Sequence, residues 1–319
     1  MAFRPRASQQ SGTRVHRVQP IGRVVSSLLP TPDSRLPTPA QPKTKGPNPI
    51  DNCYMTTKAN SFLGLVIGNS RLHWAWFVDN TLKKAWDTNH LTPAAVEQLI
   101  KDWTSNVMSE EIFPPQLGAQ GTDTSKPLPL YIASVVPAQT ALWQNYSDTT
   151  ILTLEDLPLS GLYPTLGIDR ALALFGAGHR YSYPILVIDA GTALTFTGAN
   201  QNLQLIGGAI LPGLGLQLQS LAQKTGALPA IELPAQLPKR WSLETSGAMA
   251  SGVVYTVLAS IRDFIEDWQR EFPNSPIALT GGDSEQLVTY LQSQFPGIAA
   301  QIIVDPYLIF WGMLSVVGS

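Results

Sequence analysis

The chain has 319 residues, 44% of them hydrophobic, and a formal net charge of -2. That length fits two lobes with ample buried core, and the near-neutral charge excludes a general attraction to nucleic acid or to acidic membranes. Cys53 is the sole cysteine, which excludes an intrachain disulfide and suits a reducing, cytoplasmic setting, and no unbroken apolar run reaches the ~18 residues of a membrane span.

Residues 1–58 differ from all that follow. Arg4, Arg6, Arg14, Arg17, Arg23 and Arg35 lie among Ser, Pro, Gln and Thr, and Pro30, Pro32, Pro37, Pro39, Pro42, Pro47 and Pro49 stop any helix from propagating. The composition predicts a disordered arm. Three origins fit it: sequence upstream of a start at Met55, a targeting peptide, or a genuine tail.

From Ser61 the pattern becomes that of a folded domain. Residues 62–67 read as an apolar strand, Gly68-Asn69-Ser70 as a turn, and 72–78 as the returning strand. Val96, Leu99, Ile100 and Trp103 have the spacing of one helix face. Residues 116–126 read as a surface loop and 130–136 as a buried strand. Gly167-Ile168-Asp169-Arg170 opens a helix that runs through 171–176. The opening pattern then recurs: a strand at 184–188, a turn at Asp189-Ala190-Gly191-Thr192, and a returning strand at 194–197. Another strand is predicted over 203–211, then helices over 216–224 and 243–267, a strand over 276–280 closed by Gly281-Gly282, and a helix over 287–295.

The likeness of Leu65-Val66-Ile67-Gly68-Asn69-Ser70 to Ile188-Asp189-Ala190-Gly191-Thr192 predicts two related halves, each a hairpin-led mixed sheet flanked by helices, with a cleft between them. The expected division is an N-terminal lobe over 59–180 and a C-terminal lobe over 181–319.

The turns are the first candidates for chemistry. A strand ending in glycine and a hydroxyl residue lets a phosphate approach backbone N–H groups without a Cβ in the way. Gly68-Asn69-Ser70 and Gly191-Thr192 share this character, and two such turns facing one another would hold a triphosphate from both sides; each alone is equally an ordinary hairpin. Asp189, at the end of an apolar strand, suits a cation near phosphates, or else bonds its own turn. Gly281-Gly282-Asp283 would let a flat adenosine ring lie on the backbone, or is a tight strand-to-helix link. Asp169 and Arg170 would set a carboxylate near a substrate hydroxyl beside a guanidinium that grips an acid group, or form a solvated helix start.

In this order the pieces resemble the type III pantothenate kinases over residues 63 to about 313. The resemblance rests on Gly167-Ile168-Asp169-Arg170 and Asp189-Ala190-Gly191-Thr192-Ala193-Leu194-Thr195, then on Gly207-Gly208-Ala209-Ile210-Leu211-Pro212-Gly213 and Thr225-Gly226-Ala227-Leu228-Pro229. Thr245 seven residues before Gly252, Thr280-Gly281-Gly282 and Asp305-Pro306-Tyr307 complete it. It implies an α/β fold of two ribonuclease H-like lobes of the actin-like ATPase type. It also implies phosphorylation of pantothenate with ATP, Mg²⁺ and a monovalent cation (K⁺ or NH4⁺), in a homodimer with the pantothenate pocket near the subunit interface. By position, the resemblance makes Asp169 the proton acceptor and Asp189 the potassium ligand. Tyr163, Gly167, Ile168, Asp169, Arg170 and Thr245 would surround pantothenate; Thr192 and the turn of Val66, Ile67, Gly68, Asn69, Ser70, Arg71, Leu72 and His73 would meet ATP.

One departure stands out. The family's first motif reads Asp-x-Gly-Asn-Thr with Lys three residues on, and here Val66 replaces the acid, Ser70 the threonine and His73 the lysine. Two other readings follow. Another actin-like kinase or phosphatase would lack the Gly-Ile-Asp-Arg element. An impaired homologue with a binding or regulatory role has Val66 in its favour, but it gives no physical reason to keep Asp169, Arg170, Asp189 and Thr192 together.

Overall fold

A computed structural model describes residues 61–105, 112–113 and 128–318, so the arm expected over 1–58 and the loop over 116–126 lie outside the described residues. The first sheet grows from the apolar hairpin: β1 (Ser61–Ile67) pairs antiparallel with β2 (Leu72–Val78), and β2 with β3 (Thr81–Thr88). On the other side of β1 lie the parallel strands β4 (Leu130–Ser134) and β5 (Thr149–Ile151), giving the order β3-β2-β1-β4-β5. The second sheet repeats this plan. β6 (Ile185–Ala190), β7 (Ala193–Ala199) and β8 (Leu205–Pro212) run antiparallel, and β9 (Ile277–Thr280) and β10 (Ile302–Val304) flank β6 in parallel, in the order β10-β9-β6-β7-β8. The repeat seen in the turns therefore extends to two whole sheets of ribonuclease H-like topology. Their registers match residue by residue: Val66 lies opposite His73 and Ala133, and Asp189 opposite Thr195 and Thr280.

Alternation within the strands sorts their side chains between layers. Leu63, Leu65 and Ile67 point to an outer core under α1 (Pro93–Thr104), whose buried face is the expected Val96, Leu99, Ile100 and Trp103. Thr92 caps this helix by accepting from the Ala95 N–H at 3.2 Å, with Pro93 in the first turn, where no N–H is missed. Leu186, Ile188 and Ala190 point to the opposite outer core, under α3 (Leu214–Lys224), α4 (Thr245–Glu271) and α5 (Ser284–Gln294). Although α4 is long and apolar enough to cross a membrane, it lays Met249, Val253, Val257 and Ile261 into this core.

The inner faces, carrying Phe62, Val66, Ile185 and Val187, share a third core with α2 (Ile168–Tyr181) and α6 (Leu308–Gly318). These two helices touch backbone to backbone. A Cβ on Gly176 would fall 2.1 Å from the Leu308 carbonyl oxygen, and one on Gly312 would fall 2.1 Å from that of Leu172.

Several elements differ from the sequence reading for identifiable reasons. The strand expected over 130–136 ends at Ser134, because the Ser134 hydroxyl takes the Val136 N–H and Pro137 starts a short helical turn. Asp189 and Ala190 belong to β6 rather than to the turn, since both stay paired with β7. β8 begins two residues later than expected, after the hairpin at Asn200 whose side chain takes the N–H groups of Asn202 and Gln204. β3, β5, β10 and α6 were not anticipated. The first three are edge or three-residue strands with little apolar alternation to mark them.

Candidate active site

The two glycine turns meet: Ser70 Oγ lies 2.9 Å from Thr192 Oγ1. They meet because the sheets are related copies whose first hairpins both end at the same edge of the inner layer. The N–H groups of the two glycines are spent within the turns. Gly68 N–H donates to the Arg71 carbonyl and Gly191 N–H to that of Ala193, closing each turn. Neither closure uses the N–H of Asn69, Ser70 or Thr192, and these three residues are exposed.

Beside the turns stands the start of α2. Gly167 occupies its N-cap, and a Cβ there would lie 2.4 Å from Asp169 Oδ1, so glycine is what lets the carboxylate fold back over the helix start. Asp169 Oδ1 accepts the Arg170 N–H at 2.8 Å. An acid in the first turn also opposes the helix dipole favourably. Burial nevertheless pushes the Asp169 carboxyl above the ordinary range, more strongly than the Arg170 N–H and the Arg170 charge pull it down.

Arg170 is buried and fixed. Its Nε donates to Thr197 Oγ1 at 3.0 Å, Nη1 to the Tyr163 hydroxyl at 3.1 Å, and Nη2 to the Phe196 carbonyl at 3.1 Å. Three of the five N–H donors of a guanidinium are thus spent on neutral groups. Among the described residues no carboxylate lies within 4.0 Å of it, so a buried cation sits without a contact ion pair, which suits an incoming anion. Gly208 makes this possible, because a Cβ there would fall 2.5 Å from Nη2.

Asp189 completes the group. Its carboxyl is pushed up to about 7, first by burial and then by the charge of Asp169, with Arg170 opposing. The charges of Asp169 and Arg170 thus both bear on Asp189. Gly281, at φ 92°, packs closely against Asp189: a Cβ there would lie 2.5 Å from both its Oδ1 and the Ala190 carbonyl carbon, so only glycine fits. Asp283, raised by burial, caps α5 next to it, and its N–H donates to the Ala190 carbonyl.

The remaining candidates are placed as follows. Ile67, Leu72 and Ile168 bury their side chains in the cores, so they shape the site through the backbone. Val66 is buried at the position matching Asp189. Arg71 is exposed, and His73 holds Asp87. Thr245 is exposed at the start of α4, and among the described residues it makes no hydrogen bond to the Asp169–Arg170 group. Sequence reasoning missed Thr197, which orients Arg170. Its signal was available: Thr195 and Thr197 are two apart in a strand, hence on one face with Asp189. Among the described residues there is no cluster of three or more metal-ligating side chains.

With this geometry in hand, the comparisons are specific. The sequence model of a family described as type III pantothenate kinase matches residues 62–267. A protein named type III pantothenate kinase from a Nostoc species is 51% identical over 271 residues, covering 82% of this chain and 95% of the relative. One of the same name from a Synechocystis species is 44% identical over 261 residues, covering 81% and 91%. A solved structure described as a conserved Baf family transcriptional activator from Campylobacter jejuni superposes with a TM-score of 0.53 at 22% identity, covering 81% of this chain and 98% of that one, a likeness of fold alone.

Proposed function

The chain belongs to the type III pantothenate kinase family, and from that premise we infer that it phosphorylates pantothenate with ATP, the first committed step toward coenzyme A. The observation that carries this reading is the Asp169–Arg170–Asp189 group beneath two touching glycine turns. Phosphoryl transfer needs alignment and charge neutralisation more than covalent chemistry. In our reading Arg170, held rigid by Thr197, Tyr163 and Phe196, presents its unspent N–H groups to the pantothenate carboxylate or a nearby polar group. Asp169 accepts a hydrogen bond from the primary hydroxyl and takes its proton late; a carboxyl raised by burial is a better base than an ordinary one. The N–H groups of Asn69, Ser70 and Thr192, with the Ser70 and Thr192 hydroxyls, hold the phosphates. The exposed Trp241, Leu243, Ile206 and Ile210 fit a homodimer contact along β8 and the approach to α4.

For a monovalent cation the donor chemistry fits: the buried Asp189 carboxylate and the neighbouring Ala190 carbonyl would supply oxygen ligands, and the ion would supply charge neutralisation. For Mg²⁺ they fit only through the nucleotide, since Val66 brings no acid and one or two carboxylates with water commonly suffice. The direct test is pantothenate-dependent ADP formation by the purified protein, with and without K⁺ or NH4⁺. Pantothenate-independent or absent turnover under both conditions overturns the reading.

The cation reading has a second, thermal test. A carboxyl raised from the ordinary 3.8 to about 7 contributes stability that is fully present below about 3.8 and lost as pH rises through about 7. The cation-free wild type should therefore melt at a lower temperature at pH 8 than at pH 6, and Asp189→Asn should flatten much of that slope. K⁺ should raise the melting temperature of the wild type at pH 8, do so less at pH 6, and leave Asp189→Asn unmoved. An equal K⁺ shift in wild type and variant would remove Asp189 from the cation site.

A further inference from the structure

Val66, His73 and Asp87 are successive cross-strand partners on β1, β2 and β3, so their side chains share one face of the first sheet. Val66 packs in the core between the sheets, which identifies that face as the inner one, toward the site. His73 Nδ1 lies 2.8 Å from Asp87 Oδ1, and both side chains are partly exposed, at 41% and 46%. An ionised carboxylate can only accept, so Nδ1 carries the proton and the ring is held with Nε2 turned away from Asp87. Nε2 then lies 3.7 Å from where a Gly68 Cβ would be, directly over the first glycine turn.

Two polar groups of that turn are committed elsewhere. The Gly68 N–H closes onto Arg71, and the Gly68 carbonyl is taken by His90 Nε2 at 2.8 Å, which keeps that oxygen engaged where an anion would approach. The Arg71 guanidinium stands 4.0 Å from the second oxygen of Asp87. With Nδ1 held by Asp87, Nε2 is the polar atom the His73 ring has left to offer.

We propose that Asp87 is a positioning residue that locks His73 with Nε2 over the Gly68 turn as a donor to a nucleotide phosphate, while His90 braces the turn from behind. The proposal rests on the reading of residues 66–73 as the nucleotide turn, and it adds Asp87 and His90 to the site. With Nδ1 donating to Asp87, Nε2 donates only from the protonated ring. Among the described residues, the charged or titratable groups around that ring are Asp87 on β3 and Arg71 in the turn, with His90 on the Gly68 carbonyl; Val66 on β1 is neutral. Because Nε2 donates only while both ring nitrogens carry protons, the phosphate contact strengthens as pH falls.

The experiment measures the Michaelis constants for ATP and for pantothenate at pH 6.5 and 8 in wild type, His73→Ala, His73→Lys, Asp87→Ala and the double alanine variant. The expected result is a rise of about tenfold in the ATP constant for either single alanine variant, the size of one charge-assisted hydrogen bond. The pantothenate constant stays unchanged, and the double variant is no worse than His73→Ala. His73→Lys restores ATP use and removes its pH dependence. The inference is overturned if the ATP constant does not move, if both constants move together, or if Asp87→Ala costs as much in the His73→Ala background as in wild type. Absence of turnover in the wild type itself would overturn the kinase reading instead, so the two failures are told apart.

Discussion

Asp169→Asn is expected to lose turnover by about 10²- to 10⁴-fold, the range a positioned general base supplies, while keeping its fold and its Michaelis constant for pantothenate. Asparagine is nearly isosteric, and its side-chain oxygen can still accept the Arg170 N–H that the carboxylate accepts at 2.8 Å. Arg170 also keeps its partners Thr197, Tyr163 and Phe196, so the anion-binding half of the site stays in place. The stability prediction runs opposite to the activity one. Burial raises the Asp169 carboxyl, so the ionised form is the disfavoured one in the folded chain, and its stabilising contribution fades as pH rises through the raised value. A neutral amide avoids that loss, and the variant should melt at or above the wild-type temperature at pH 8. Steady-state kinetics and thermal melts on the same preparation check both halves. Near-wild-type turnover would remove Asp169 from the chemistry, and a large drop in melting temperature would show that it is needed for the fold.

The second large effect is on the fold. Gly176→Ala and Gly252→Ala are the same exchange in two helix interiors, yet they should differ in sign. In α4 an added Cβ on Gly252 meets nothing within 4 Å, so the gain in helix propensity should stabilise the protein by about 0.5–1 kcal/mol. In α2 an added Cβ on Gly176 would stand 2.1 Å from the Leu308 carbonyl oxygen and 2.4 Å from the Gly312 nitrogen. These are backbone atoms of a packed helix and cannot step aside as a side-chain tip would. The helices must separate, at about 3 kcal/mol or more, the upper end of overpacking costs. Because α2 carries Asp169 and Arg170, any variant that still folds should lose activity as well. Denaturant melts of both variants decide the matter, and equal stability would mean the helices do not pack this closely.

What was legible in the sequence follows from what leaves a periodic or compositional trace. The hairpins at 62–78 and 184–197 were visible because both faces of those strands are buried, which makes near-continuous apolar runs punctuated by glycine. The face of α1 was visible through its 3.6-residue spacing. β3 was not, because Lys83 and Lys84 interrupt the alternation; an edge strand can be polar, and charges there guard an unpaired edge. α6 was hidden for the opposite reason: nearly every residue is apolar, so no face stands out, and only its burial between two sheets explains the composition. At the site, Asp169, Arg170, Asp189 and the two turns could be named from local chemistry. That the turns would touch through Ser70 and Thr192 depends on tertiary placement, as does the tie between Arg170 and Thr197: strand spacing puts Thr197 on the face of Asp189 but does not name its partner. Within each turn the glycine N–H first satisfies its own backbone, so only the N–H groups of the residues after it, Asn69, Ser70 and Thr192, are left outside the turn closure.

The placement of α6 bears on the order in which the chain can become a folded protein. The inner layer that joins the sheets draws Leu308, Phe310, Met313 and Val317 from α6 against β1, β6 and α2, so the first and last described elements must meet. As the chain is synthesised, β1 to β5 emerge with their outer side covered by α1 and their inner apolar face open. α2 covers part of that face, and the Gly176 groove on α2 stays empty until α6 arrives. A nascent first lobe is therefore an exposed half-sandwich, slow to complete because its closing contacts are the most distant in sequence, and prone in the meantime to association through Phe62, Phe77 and Leu172. Shortening the chain within α6 should accordingly reduce yield through aggregation before it reduces the activity of whatever folds.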